Sequence, residues 1–362
     1  MRKTVVALGL AFVFLAALGA KAGAQTNGVD FTLQTNAQTQ VLLNATGMTQ
    51  AQLQTFLTSK LDQLFQATNA AGFIRNFGDA QSFTSKGLGV DYASEATYFE
   101  VGGAASFALG MDRTYQPGST QGFPIQGVGL NATAMAGVSL GFLKIPVMVF
   151  GNWMQVPTQR YGAMSGSLDN WGLHAQLRLW GPSRQASVLK TLVRWGGIAI
   201  TTGFDSSHMG LGVSHDVSSN FSIPNSVTSG VNVDVTGAAS GNAVFNIDMT
   251  TRSIPVEVTT SVRLLALLTA YGGLGFDWQL GGGSNLDLNM NASMVGHVAG
   301  QTLDLGTALV HASANVAPSP AKVRGIVGAQ VGLWLLRLFV QVNAANTNPV
   351  MASLAVGARL AY

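Results

Sequence analysis

The chain contains no cysteine, and only 10% of its 362 residues are charged. The first absence excludes disulfide staples, thiolate metal sites and a cysteine nucleophile together. The formal excess of +3 resides in Arg2, Lys3 and Lys21. The rest of the chain is neutral and holds no basic tract interleaved with aromatics, so no nucleic-acid partner is expected. Long apolar runs are also missing beyond the first residues. The richest, Leu264 to Tyr271, falls far short of the ~20 residues that a membrane-spanning helix requires. Catalytic and cofactor fingerprints are equally scarce. No G-x-S-x-G, H-E-x-x-H, Walker loop or dinucleotide motif occurs, and His174, His208, His215, His297 and His311 are scattered. The expectation is no enzyme, no cofactor and no metal site, although a Ser–His–acid site assembled across strands would leave no linear trace.

What is present is apolar residue and glycine: 47% of the chain is hydrophobic and 44 residues are Gly. Arg2-Lys3, the apolar run from Thr4 to Gly19 and the exit Ala22-Gly23-Ala24 read as a secretory signal peptide cut after Ala24. Backbone groups in lipid must be bonded internally, so an apolar exported chain without spanning helices points to a closed β-barrel. Period-two patterning agrees. Val128, Leu130, Ala132, Ala134, Ala136 and Val138 alternate with Gly129, Asn131, Thr133, Met135 and Gly137, and Trp171, Leu173, Ala175, Leu177 and Leu179 alternate with Gly172, His174, Gln176 and Arg178. Short apolar corners in VSLGFLKIPVMV, TSVRLLALLTAY and AQVGLWLLRLFV suit the periplasmic side, where turns are short. Ten wall strands are expected, near 96–111, 127–142, 147–157, 169–180, 195–205, 252–264, 268–280, 322–334, 336–344 and 351–362. Polar segments between them, notably Asp205 to Thr251 and Gly281 to Pro320, read as long extracellular loops. Strand-like pieces inside those two loops are either protruding hairpin arms or further wall strands, so twelve to fourteen strands stay open.

At the end of the chain Leu354, Val356, Ala358, Leu360 and Tyr362 alternate up to a final aromatic. This resembles the C-terminal strand signature of Gram-negative outer-membrane β-barrel proteins. The resemblance implies the outer membrane as location, its lipid as surroundings and the barrel-assembly machinery as partner through that strand. The domain reading is a leader at 1–24, a periplasmic or plug segment at 25–95 and the barrel at 96–362. Before the barrel, Leu53, Phe56, Leu57, Leu61, Leu64 and Phe65 mark an amphipathic helix over 49–70. With a single Lys60 and a Gln-rich polar face, it suits packing on protein more than anionic lipid. The stretch GLG-x-x-Y-A, Gly87 to Ala93, resembles the hatch of the long-chain fatty-acid transporter family; that resemblance implies a hydrophobic-compound transporter. A ten-stranded barrel is expected to fill with its own side chains and leave no room for a helix, whereas about fourteen strands would hold a plug.

Strand parity turns Glu100, His174, Gln176, Arg178, Glu257, Arg263, Arg324, Gln330, Arg337, Gln341, Asn343 and Arg359 toward the lumen. Arg178, Arg263, Arg337 and Arg359 fall near the short corners, either as an anion-favouring ring at the lower mouth or as part of an internal ion-pair network with Glu100, Glu257 and the acids of the N-terminal segment. Glu100 on the first strand and Arg359 on the last are expected to pair across the seam, with Arg178, Arg263 and Arg337 left to neutralise Glu257 or to set anion preference. The functional reading is a small-solute channel or carrier. A structural or surface-interaction barrel without transport, and the hatch-type transporter, stand beside it.

Overall fold

The computed structural model describes residues 26–46, 49–52, 54, 55, 58, 59, 70–93, 98–111, 126–181, 192–223, 235–265, 267–298 and 301–362. The leader and residues 60–69 of the expected helix lie outside them, while residues 50–52, 54, 55, 58 and 59 are helical. The described chain forms β1 (Thr26–Gln34), α1 (Ala37–Thr46), α2 (Ala70–Thr84), β2 (Phe99–Met111), β3 (Gln126–Ser139), β4 (Val147–Tyr161), β5 (Met164–Trp180), β6 (Val193–Ile223), β7 (Val235–Leu264), β8 (Leu268–Val298), β9 (Gln301–Val316), β10 (Ala321–Leu333), β11 (Leu336–Ala345) and β12 (Val350–Ala361).

Hydrogen bonding runs from β8 through β10, β11, β12, β2, β3, β4, β5, β6 and β7 and returns to β8, so ten antiparallel strands close a ring. These are the ten wall strands that the alternation marks. Along β2, Phe99, Val101, Phe107 and Leu109 are exposed while Glu100, Ala104, Ser106 and Ala108 are buried. Leu274 is 67% exposed and Val327 66%, and a continuous exterior of such residues belongs in lipid. Trp171 and Trp180, both exposed, lie on β5. Their spacing is about 30 Å along the strand at ~3.3 Å per residue, or about 23 Å after a tilt of ~40°, close to the height of an outer-membrane apolar band. The architecture is a closed antiparallel transmembrane β-barrel.

Its two ends differ. On one, short apolar corners join β3 to β4, β7 to β8 and β10 to β11, and each turns through a non-glycine residue of positive φ: Lys144 at 62°, Leu265 at 52° and Trp334 at 58°. On the other, strands run far past the ring. The segments expected as loops at Asp205–Thr251 and Gly281–Pro320 are largely strand: β6 pairs with β7 from Asp205↔Ser253 out to Ile223↔Val235, and β8 with β9 from Ser284↔Val316 to Val298↔Gln301. Counting the outer ends of β4 and β5 and the edge strand β1, a seven-stranded extension projects roughly 60 Å along β7 at ~3.3 Å per residue. Gly281 and Gly282, at φ 150° and 137°, mark the bend where wall becomes extension. Sequence composition hid these strands because Gly, Ser and Asn, poor strand formers, occupy positions whose backbone is paired on both sides.

One face of the extension is apolar. Val29, Phe31 and Leu33 of β1 continue a layer of Ala308, Val310, Ala312, Leu286 and Met294, and Leu43 of α1 with Ala70 and Ile74 of α2 cover it. The stretch before the barrel, read from sequence as a periplasmic or plug segment with one helix, thus also holds a locally alternating strand.

Candidate functional site

The inward positions of β3 are small where α2 rests. A Cβ on Gly127 would stand 2.0 Å from the Asn76 carbonyl, and one on Gly129 would stand 2.6 Å from the Ala80 oxygen. Across the ring, Gly78 of α2 is as close to Ser284 of β8. Glycine on both surfaces lets backbone meet backbone, and so ten strands enclose a helix that was expected to need a wider ring. Every α2 residue from Asn76 to Thr84 is buried except Phe77. Its polar groups are met by the wall: Gln81 donates to Ser207 Oγ at 2.9 Å, Gln279 donates to Ser82 Oγ at 2.7 Å, and Ser106 Oγ donates to the Thr84 carbonyl at 2.6 Å.

Residues 85–93 continue down the lumen, carrying Leu88, Val90 and Tyr92 at no more than 2% exposure. Three charges in the enclosed segment meet opposite charges of the wall. Asp79 takes Lys322 Nζ at 2.8 Å, Lys86 Nζ reaches Asp205 Oδ2 at 3.1 Å and also donates to Ser253, and Asp91 lies 3.6 Å from Arg337 and 3.7 Å from Arg359. His174 Nε2 closes on the other oxygen of Asp205 at 3.1 Å. The GLG-x-x-Y-A stretch is thus inside the ring. Tyr92 donates to Glu257 Oε2 at 2.5 Å.

The centre of the lumen belongs to Arg324. It donates to Asp277 at 2.9 Å, to Asn343 Oδ1 at 2.7 Å and to Glu257. Glu257 and Arg324 are both register partners of Gly275 on β8, and the missing side chain lets them meet over it. This corrects the expectation that Arg178, Arg263 or Arg337 neutralises Glu257. A same-row partner across one glycine is closer than the corner arginines are.

Of the lumen residues drawn from parity, Glu100, His174, Glu257, Gln330, Gln341 and Arg359 are buried, while Arg178, Arg263 and Arg337 are half-buried near the corners. Arg359 donates to Glu100 at 3.1 Å and stacks over Phe339 at 4.3 Å. Gln341 donates to the Lys86 carbonyl at 3.4 Å. Gln330 finds no hydrogen-bond partner for either end of its amide among the described residues. Sequence reasoning counted the acids of the N-terminal segment only as a group, without singling out Asp79 or Asp91, and missed Lys86, Asp205, Asp277 and Lys322. The available signal was scarcity: in a chain with so few charges, each one at an inward wall position or in the segment before the barrel needs a partner. No group of three or more metal-ligating side chains gathers among the described residues.

These features define a transmembrane barrel whose lumen is occupied by its own chain. Residues 34–362 match the Lsa36-like family model; the chain belongs to that family. No curated protein matches it in sequence. Among solved structures it is similar to the translocator domain of autotransporter NalP from Neisseria meningitidis, at 12% identity over 74% of this chain and 90% of that one, with a TM-score of 0.29. It is also similar to a Pseudomonas aeruginosa FadL homologue, at 7% over 79% and 97% with a TM-score of 0.25, and to the Ralstonia pickettii toluene transporter TbuX, at 6% over 75% and 91% with a TM-score of 0.24. The strand ring and its apolar exterior, not these distant likenesses, carry the barrel assignment.

Proposed function

We propose that the chain is an outer-membrane barrel that holds and presents its seven-stranded extension beyond the membrane, with the lumen closed. The observation that carries this reading is the occupancy of the ring by residues 76–93, fixed by buried ion pairs at Asp79, Lys86 and Asp91. Asp91 also engages Arg337 and Arg359, two of the four arginines from which an anion-favouring mouth would be built. Of the readings drawn from sequence, the surface-interaction barrel therefore fits better than the open small-solute channel.

Single-channel recording in planar bilayers tests it. The wild-type protein should give no steady conductance. Asp79→Asn combined with Lys86→Met should give intermittent openings, because the occupying segment loses two of its charged anchors. A steady ohmic step from the wild-type protein would overturn the closed-lumen reading.

A further inference from the structure

The chain enters the ring from one end and leaves by the other. At the corner end, Tyr98 N donates to the Tyr362 carbonyl at 2.7 Å and Ser139 N to the Tyr98 carbonyl at 2.7 Å, so β2 begins there. Asp91, seven positions earlier, sits beside Arg337 and Arg359 at the same end. Lys86 reaches Asp205 higher in the wall, and α2 packs on Gly127 and Gly129, whose partners on β2 are Gly110 and Ala108 at the strand's far end. Ahead of α2, β1 pairs with β9 from Thr26↔Asn315 to Gln34↔Thr307. β9 in turn is bonded to the part of β8 that has left the ring.

We infer that the described residues of 26–75 lie on the extracellular side of the membrane and that residues 76–93 thread the lumen once, from the cell surface down to the periplasmic corners. The sidedness rests on the outer-membrane reading above, in which short turns face the periplasm and long excursions face outward. The segment is not loosely attached there. Val29, Phe31 and Leu33 are buried in the apolar layer of the extension. The outer edge of β1 is finished by Gln50 and Gln54, which donate to the Leu33 and Phe31 carbonyls at 3.3 and 3.0 Å, so an otherwise open sheet edge is covered. The first and last strands close around the foot of this threaded stretch, while the segment before it lies beyond the other end of the ring. Arg359 of the last strand, Glu100 of the first and Asp91 of the threaded stretch form one cluster at that seam.

The absence of native cysteine makes the test direct. Single-cysteine variants at Gln40 on α1, at Arg160 on the outer part of β4 and at Lys144 in a short corner would each be exposed. Each is treated on intact cells, and again after permeabilising the outer membrane, with a bulky membrane-impermeant maleimide. Gln40→Cys should label with Arg160→Cys on intact cells, and Lys144→Cys only after permeabilisation. Labelling of Gln40→Cys together with Lys144→Cys, while Arg160→Cys labels on intact cells, would overturn the threading and leave the barrel standing. Equal labelling of Arg160→Cys and Lys144→Cys would mean that the ring does not separate two compartments. The outer-membrane reading would then fail, and this inference with it.

Discussion

Arg324 joins three strands through one guanidinium, and its neighbours explain why a lysine could not replace it. Its Nε, Nη1 and Nη2 each serve a different acceptor, on Asp277, Asn343 and Glu257, a planar fork that an ammonium cannot copy. Arg324→Lys should therefore lower the temperature at which heat-modifiability on gels is lost. Arg324→Met should lower it much further, since it leaves two buried carboxylates without their cation, at a cost of about 3–5 kcal/mol. Equal thresholds for Arg324→Met and the wild-type protein would show that the network contributes nothing to barrel stability. At the seam, Arg359 faces both Glu100 and Asp91. Arg359→Gln should accordingly be more harmful than Glu100→Gln, which leaves the arginine its second acid. The double variant should lose less than the two single losses added. Strict additivity, read from the same thermal threshold, would mean that the residues do not interact. Parity and distance from the strand ends were enough to bring Glu100 and Arg359 together from sequence. Nothing linear placed Asp91 beside them, because it arrives on a segment with no strand period.

The elements differ in how legible they are for a physical reason. The ring strands have lipid on one side and packed lumen on the other, and that contrast writes itself as alternation along β2, β3 and β12. From Asn76 to Thr84 α2 is buried at every position but Phe77, so that part shows no apolar stripe. Asn76, Asp79, Gln81 and Ser82 are buried along with Ile74, Ala80 and Phe83, and their cost is met by wall partners that only the fold supplies. The extension was read as loop because its outer positions are Asn, Ser and Gly. β1 was passed over although Val29, Phe31 and Leu33 alternate, since three apolar residues are too few to outweigh a polar context. The glycines of β3 give this scale its prediction. Gly129→Val puts side-chain atoms where the α2 backbone runs, whereas Gly103→Ala, whose added Cβ would find its nearest neighbour at 3.5 Å, makes only ordinary contact. The first should unseat α2 and produce openings in bilayer recordings. The second should behave as wild type. Indistinguishable traces from both would remove α2 from its seat on β3.

For the whole molecule, the ring, the enclosed segment and the extension form one continuous construction. The wall carries the extension upward on β5 to β8, and the segment that covers the extension's apolar face descends through the lumen to begin the wall. The central claim is that residues 76–93 occupy the ring in the native state. Ser82 on α2 and Gln279 on β8, joined by a 2.7 Å hydrogen bond, allow a direct measurement in a chain free of other cysteines. Oxidation of the Ser82→Cys/Gln279→Cys double variant in isolated cell envelopes should close a covalent loop. On gels after full denaturation, that loop appears as a faster-migrating, reducible band absent from either single variant. A double variant that keeps its heat-modifiability, and so its folded barrel, yet forms no such band at any oxidant level would contradict the account.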